Sequence, residues 1–270
     1  MAGAGFETLS IDRQGRVALV TFRRGDQLNA MNRLMQGEII AAFEALSADP
    51  EIGAIVVTGA GRAFMAGADI KEYAAQTGPE FDAFQSNGTR MYAAIEQNSK
   101  PVIAAVNGFA LGGGFELVLS CDLVIASEQA KFGLPEIKLG LVPGGGGTQR
   151  SVQTLGRNQA NFLLLTGAIM PASALLPTGL INELTAPDQV VPRAMELATM
   201  IAAEPPTAIE GLKRLTALAL EADQVHGLRE EQKLVNALYR SDIGQARVQA
   251  FAQKSADRAA EKARAAGATP

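Results

Sequence analysis

The chain has 270 residues, of which 47% are hydrophobic and 5% aromatic, and its formal net charge is -4. This composition supplies a large buried core, and the acidic balance argues against a general nucleic-acid surface, on which Lys and Arg normally cluster. The single cysteine excludes an intramolecular disulfide, and no apolar run is long enough for a membrane span. The first residues lack the pattern of a signal peptide. We therefore expect a cytoplasmic protein without nucleic-acid or membrane partners.

Strands and helices are predicted in alternation through most of the chain. Apolar patterning predicts strands at 7–11, 16–22, 54–58, 102–106 and 123–126, and helices at 33–46, 79–97 and 148–155. Asn32 is the predicted N-cap of the first helix, and a turn is expected at 12–15. A loop of small residues is expected at 59–69. Crossovers of these lengths predict an α/β fold with a mostly parallel sheet.

The composition changes in the last quarter of the chain. From about residue 193, Ala, Glu, Leu, Lys and Arg dominate, and the pattern predicts three or four helices and no further strand. We therefore predict an α/β core over residues 1–200 and a helical region over residues 201–270.

Several kinds of catalytic site are excluded by missing residues. His226 is the only histidine, which argues against a histidine-based triad or a multi-histidine metal site, so no metal is expected. Gly140 and Gly145 have the first spacing of a phosphate-binding P-loop, but Gly146 stands where that motif requires Lys. Cys121 lies among Leu and Val residues and is expected to fill the core.

Glycines and carboxylates remain in the segment from Lys100 to Arg150. A helix that begins near Gly112 leaves unpaired backbone N–H groups at its first turn, and these can donate to a developing oxyanion. Glu116 follows Gly113 by one turn on the same face, about 5 Å along the axis. Because apolar residues surround Glu116, its carboxyl group must be paired, hydrogen-bonded or protonated if it is buried. We interpret the segment as the site of an enzyme that acts on acyl thioesters.

Each of these residues also has a structural interpretation. Glu116 could be a solvated position on an amphipathic helix, and Glu136, which follows Pro135, could only complement a helix dipole. The glycines could serve turns and packing alone.

Three segments carry a family resemblance: AFMAGADIKE at 63–72, KPVIAAVNGFALGGGFEL at 100–117 and FGLPEIKLGLVPGGGGTQR at 132–150. They resemble enoyl-CoA hydratases of the crotonase superfamily. The resemblance implies a crotonase-like spiral of ββα repeats with a helical C-terminal trimerisation region, assembled as a homotrimer or as a hexamer of two trimers. It implies an acyl-CoA thioester substrate and the addition of water to a 2-enoyl-CoA, giving a 3-hydroxyacyl-CoA. No separate cofactor is implied, since CoA is part of the substrate.

The resemblance also assigns expected roles to single residues. The backbone N–H groups of Ala68 and Gly113 would form the oxyanion hole, with Glu116 as the base on water and Glu136 as the proton donor. The remaining matches concern substrate binding and water: the Ala66 carbonyl at the adenine amino group, Lys71 on the CoA path and the Gly144 amide near the catalytic water. Phe251 and Lys254, of the same or of a neighbouring subunit, match residues at the nucleotide end. Asp26 departs from the family pattern and would repel phosphate, so Arg23 or Arg24 is expected to substitute there.

Two other functions are compatible with the same fold. An enoyl-CoA isomerase or another crotonase-fold enzyme shares the oxyanion hole but usually works with a single carboxylate, so the presence of both glutamates favours hydration. A non-catalytic, RNA-binding member would require a basic patch, whereas the 24 Lys and Arg residues here are interspersed with 28 Asp and Glu residues.

Overall fold

The computed structural model describes residues 5–267, without the side chains of residues 255–256, 260 and 263–267. Its contacts divide the chain into two compact units, with the division between Glu204 and Pro205. None of the helices in the described range combines the length and the apolar character that crossing a bilayer requires.

A six-stranded sheet forms the centre of the first unit. Its strands, in spatial order, are β1 (Leu9–Gln14), β2 (Val17–Phe22), β3 (Ala54–Gly59), β5 (Val102–Val106), β7 (Leu123–Ser127) and β10 (Glu183–Thr185). The β1–β2 pair is antiparallel, and every later pair is parallel. Parallel strands need both faces covered, which agrees with their nearly uninterrupted apolar sequences.

A second, four-stranded sheet consists of short strands, three of which follow β3, β5 and β7 along the chain. In spatial order these are β4 (Ala63–Met65), β6 (Phe109–Leu111), β8 (Lys131–Gly133) and β9 (Ile169–Pro171). The first three run parallel, and β9 pairs antiparallel with β8. One long strand and the short strand after it therefore form a repeating unit, which occurs three times along the chain, as β3–β4, β5–β6 and β7–β8.

Helices cover these sheets or connect their strands. In the first unit they are α1 (Arg33–Ala48), α2 (Ile70–Ala75), α3 (Gly78–Glu96), α4 (Gly113–Leu119), α5 (Gly147–Leu155), α6 (Arg157–Thr166), α7 (Ala172–Leu175) and α8 (Val190–Ala202), with 3-10 turns at Gly25–Gln27, Pro135–Leu139 and Leu176–Thr178. Asn32 caps α1 as expected, because its side chain accepts a hydrogen bond from the Met35 amide at 2.9 Å.

The two faces of the large sheet pack against different helices. Ile55 and Val57 belong to the main core, together with residues of α1, α3 and α4. Ala54 and Val56 alternate with them and pack in a second cluster against α8. This alternation follows from the two-residue period of a strand.

Three sequence predictions about local structure were wrong. The first strand begins at Leu9 rather than at residue 7, because the amides of Glu7 and Thr8 donate to the Glu38 carboxylate at 2.7 and 2.8 Å. The strand continues to Gln14 instead of ending at residue 11, so the turn is two residues long rather than the expected 12–15. It includes Gly15, whose φ of 58° favours glycine. The expected loop at 59–69 contains strand β4, which is too short to produce a recognisable alternation.

The second unit consists of helices alone within its described residues. They are α9 (Pro206–Glu221), α10 (Gln224–Arg240) and α11 (Asp242–Gly267). The α9–α10 contact includes Gly211, where an added Cβ would lie 2.5 Å from Leu234 Cδ2. Large apolar side chains remain exposed on all three helices: Leu212, Leu220, Val225, Leu228, Val235, Tyr239, Ile243, Val248 and Phe251.

Candidate active site

Three segments that follow strands of the small sheet line one pocket. The strands β4, β6 and β8 are parallel, so their carboxyl ends lie at the same edge of the sheet. The pocket beyond that edge has a volume of about 530 Å³. Six residues predicted from the sequence line it: Ala66, Ala68, Gly113, Glu116, Glu136 and Gly144.

The backbone N–H of Ala68 is directed away from the neighbouring segment. Met31 and Ala68 form a parallel β-bridge. In this bridge the Met31 amide donates to the Gly67 carbonyl, and the Asp69 amide donates to the Met31 carbonyl. Successive N–H groups of an extended chain point to opposite sides, so the Ala68 N–H points away from Met31. It has no hydrogen-bond acceptor among the described residues.

The backbone N–H of Gly113 is a second unpaired donor at the pocket. Gly113 is the first residue of α4, so no residue of the helix can accept its hydrogen bond. The preceding Gly112 donates to the Gly133 carbonyl at 2.9 Å and has a φ of 52°, which orients the start of the helix. Within residues 5–267, no acceptor lies within hydrogen-bonding distance of the Gly113 amide. Two main-chain donors are thus available to a ligand oxygen.

Glu116 is held in the pocket wall by three donors. Its side chain lies on α4, and the residue is 4% exposed. Oε1 accepts from the amides of Gly145 and Gly147 at 2.7 and 2.8 Å, and Oε2 accepts from the Tyr92 hydroxyl at 3.4 Å. Burial raises the pKa of the Glu116 carboxyl, while these three hydrogen bonds oppose the rise. The donors favour the ionised form of this glutamate.

The surroundings of Glu136 disfavour its ionised form, in contrast to the hydrogen bonds that favour ionised Glu116. It lies in the 3-10 turn Pro135–Leu139, with Oε1 so near Gly112 that a Cβ added there would be 3.1 Å away. Its Oε2 is buried without a hydrogen-bond partner among the described residues. Burial, with a contribution from the charge of Glu116, raises the pKa of the Glu136 carboxyl to about 7. This glutamate therefore remains largely protonated at slightly acidic pH.

Arg150 fixes the glycine loop that holds Glu116. Its Nη1 donates to the Gly145 carbonyl at 2.6 Å, and its Nε and Nη2 donate to the two carboxylate oxygens of Glu96 at 2.8 and 2.7 Å. Such a two-point pair is geometrically specific. Glu96 and Tyr92 lie one turn apart on α3, so one helix carries both supports of the glutamate site.

The profile described as "Enoyl-CoA hydratase/isomerase" matches residues 12–260. The chain belongs to this family. The family assignment predicted from the sequence is confirmed, and acyl-CoA thioesters are the substrate class that it implies.

Individual members of the enoyl-CoA hydratase/isomerase family align over nearly their whole length. A probable enoyl-CoA hydratase of Rhizobium meliloti is 41% identical over 250 residues, which cover 92% of this chain and 96% of that protein. A 2,3-dehydroadipyl-CoA hydratase of Escherichia coli is 38% identical over 91% of this chain and 96% of its own. The crystal structure of an enoyl-CoA hydratase from Bacillus anthracis superposes with a TM-score of 0.89 at 32% identity, covering 92% of this chain and 97% of that one. The expected fold class is thereby confirmed.

Four residues expected at CoA lie outside the pocket wall. Arg24 donates to the Ala30 carbonyl and forms an ion pair with Asp69 at 2.9 Å. Lys71 is exposed near the start of α2. Phe251 and Lys254 are exposed on α11, in the second unit. Their roles in binding CoA stay predictions from the resemblance.

Sequence reasoning missed the groups that support Glu116. The sequence offered turns and packing as the alternative role of the glycines, whereas the amides of Gly145 and Gly147 hold the carboxylate. Tyr92 is 2% exposed, and a buried tyrosine hydroxyl normally has a hydrogen-bond partner, which could have marked it as a candidate. No feature of the sequence indicated the Arg150–Glu96 pair, because its members come from separate helices 54 positions apart.

Proposed function

We propose that the protein is an enoyl-CoA hydratase that adds water reversibly to a 2-enoyl-CoA and forms a 3-hydroxyacyl-CoA. The observation that carries this proposal is the pairing of two unlike carboxyl groups with two unpaired backbone amides in one pocket. Close relatives named as enoyl-CoA hydratases support the same activity. A hydration site needs one base, one acid and an anion-stabilising pair, and this pocket supplies candidates for all of them.

In the proposed reaction, the amides of Ala68 and Gly113 bind the thioester oxygen. Ionised Glu116 removes a proton from water as the water oxygen attacks C3. Electron density moves from the double bond to the thioester oxygen, where the two amides stabilise it, and Glu136 delivers its proton to C2. One water molecule is consumed, and proton exchange between the two carboxyl groups restores the starting state. Each amide donor contributes about 3–4 kcal/mol to a reaction of this type.

An enoyl-CoA isomerase is the second candidate. Isomerisation moves one proton between two carbons and requires only one suitably placed carboxyl group, with the same pair of amides. Here both glutamates line the pocket and have different hydrogen-bond surroundings, which favours the two-carboxyl reaction.

The substrate and assembly proposals follow from the family. CoA is expected to pass the Ala66 carbonyl and Lys71, and Arg24 remains a candidate phosphate contact. Phe251 and Lys254, of the same or of a neighbouring subunit, are the candidates for the nucleotide end. CoA arrives as part of the substrate, so no separate cofactor is proposed. The exposed apolar side chains of α9–α11 support assembly as a homotrimer or a dimer of trimers. A cytoplasmic location is proposed on the same family basis.

The decisive experiment follows loss of the 2-enoyl thioester absorbance of crotonyl-CoA. We expect the wild type to consume it, and Glu116→Gln and Glu136→Gln each to lower kcat by about 10²–10⁴ while circular dichroism remains native. Glu128→Gln, on an exposed turn, serves as the control and should have normal activity. Near-normal turnover by either pocket variant would contradict the two-carboxyl mechanism. Conversion of a 3-enoyl-CoA without any hydration would favour the isomerase.

A further inference from the structure

The buried side chain of Gln36 has an unused hydrogen-bond donor at the pocket. Gln36 lies on α1, is 0% exposed and belongs to the residues that line the pocket. Its Oε1 accepts from Asn87 Nδ2 at 3.3 Å, whereas its Nε2 is buried and has no partner within the described residues. Since buried amide groups are nearly always paired, an unpaired donor in a pocket wall is suited to an acceptor atom of a bound ligand.

This donor lies beyond the reacting carbons. Gly88 of α3 also lines the pocket, and a Cβ added to it would lie 3.2 Å from Gln36 Nε2. Tyr92, which touches Glu116, follows Gly88 by one helical turn, a rise of about 6 Å. An acyl chain that extends from the two glutamates along α3 toward Gly88 passes Gln36 with its distal part.

A second donor borders the same part of the pocket. The Tyr73 hydroxyl accepts from Gln85 Nε2 at 3.2 Å, and its own hydrogen has no acceptor among the residues the structure describes. Gln85 precedes Gly88 by three residues on α3, so the two lie on one face of the helix. The rest of the wall here is apolar and includes Met31, Phe81 and Phe84. A plain hydrocarbon chain would fill this space and leave both donors without water or partner, which weakens binding.

We propose that the pocket selects a 2-enoyl-CoA whose acyl chain carries an uncharged oxygen, as a hydroxyl or keto group, beyond the reacting carbons. Gln36 Nε2 donates to that oxygen, and the Tyr73 hydroxyl is the second donor. A carboxylate is disfavoured because α1 and α3 contribute no cation to the described pocket wall, and the lining cation Lys138 is exposed on the 3-10 turn that also carries Glu136. Glu116 and Glu136 add negative charge to the same pocket. The inference rests on the proposed function, since it takes the acyl thioester as the ligand.

Calorimetric binding of saturated thioesters tests the inference without any turnover. The ligands are octanoyl-CoA, isomers with an oxo group moved one carbon at a time along the distal half of the chain, and the chain of equal length that ends in a carboxylate. We expect one oxo isomer to bind the wild type about tenfold more tightly than octanoyl-CoA. Gln36→Met should abolish this preference and bind octanoyl-CoA at least as well as the wild type does, and Tyr73→Phe should reduce the preference.

Three results would overturn the inference: octanoyl-CoA binding as tightly as every oxo isomer, a preference unchanged in Gln36→Met, or the carboxylate chain binding best. If Gln36→Met does not fold, the wild-type panel alone decides. Hydration of the matching 2-enoyl thioesters separates the two proposals. Hydration without an oxo preference refutes only the inference, whereas an oxo preference in binding without hydration refutes only the proposed activity.

Discussion

The Tyr92 hydroxyl lies 3.4 Å from Oε2 of Glu116 and, at the same time, 3.1 Å from the Gly113 carbonyl. One buried phenol thus connects the carboxylate to the residue whose amide faces the ligand. The Tyr92 ring also packs on the glycine loop, because a Cβ added to Gly145 would lie 2.0 Å from ring atom Cε2. The position of Glu116 relative to the oxyanion donor therefore depends on this side chain.

Tyr92→Phe should lower kcat about three- to tenfold, because it removes one donor and keeps the ring. The hydrogen bond from Tyr92 lowers the pKa of Glu116, so its loss should move the acidic limb of the pH–kcat profile to higher pH. Steady-state hydration of crotonyl-CoA from acidic to alkaline pH measures both effects. Tyr239→Phe, on an exposed residue of α10, is the control and should leave both unchanged. An unshifted acidic limb in Tyr92→Phe would show that the phenol has only a packing role.

The pH profile of kcat/KM should be bell-shaped. Glu136 must carry a proton to act as the acid, and its pKa of about 7 places the loss of activity on the alkaline side near that pH. Glu116 must be ionised, so activity also falls at acidic pH as this carboxyl becomes protonated. Crotonyl-CoA hydration at substrate concentrations below KM reports these groups in the free enzyme. Full activity maintained to pH 9 would argue against Glu136 as the proton donor.

Glu136→Gln should change how stability depends on pH. The pKa of Glu136 is higher in the folded protein, about 7, than its ordinary value of 4.5. The folded state therefore binds the proton more tightly, and this contribution to the unfolding free energy is present below pH 4.5 and is lost as the pH rises to 7. Relative to the wild type, Glu136→Gln should gain about 1–2 kcal/mol between pH 4 and pH 8, a value reduced for partial solvent exposure. Urea unfolding of the wild type and the variant at both pH values measures the gain. If the difference in unfolding free energy between them were the same at both, the prediction would be wrong.

Two glycine-to-alanine substitutions should have opposite effects. At Gly114 an added Cβ would lie 1.9 Å from the Met65 carbonyl oxygen, a backbone atom that cannot move aside, so Gly114→Ala should destabilise the protein by about 3 kcal/mol. At Gly37, on the exposed side of α1, nothing lies within 4 Å, so Gly37→Ala should stabilise the protein by up to about 1 kcal/mol. Thermal unfolding of both variants tests these opposite effects. A Gly114→Ala variant that melts at the wild-type temperature would contradict the prediction.

The sequence predicts those features that depend on local chemistry or on long motifs. The buried strand at 102–106, the Asn32 cap and the start of a helix at Gly112–Gly113 each follow from a few neighbouring residues. The three-residue strands could not be predicted because no periodicity develops over so short a length. The same limit applies to contacts between distant segments. Glu116 could be identified as a buried acid, but its donors at Gly145 and Gly147 depend on a loop that returns from another part of the fold.

The N–H groups of Ala68 and Gly113, which have no acceptor among the described residues, are part of the main chain. Any residue other than proline leaves the N–H in place, and proline removes it only by putting a ring where the donor was, so ordinary mutagenesis cannot delete these donors without adding bulk. An ester linkage introduced at one of the two positions, by genetic incorporation of an α-hydroxy acid, would exchange a single N–H for oxygen. The contribution of each N–H donor to catalysis can thus be measured separately only by replacing single main-chain atoms.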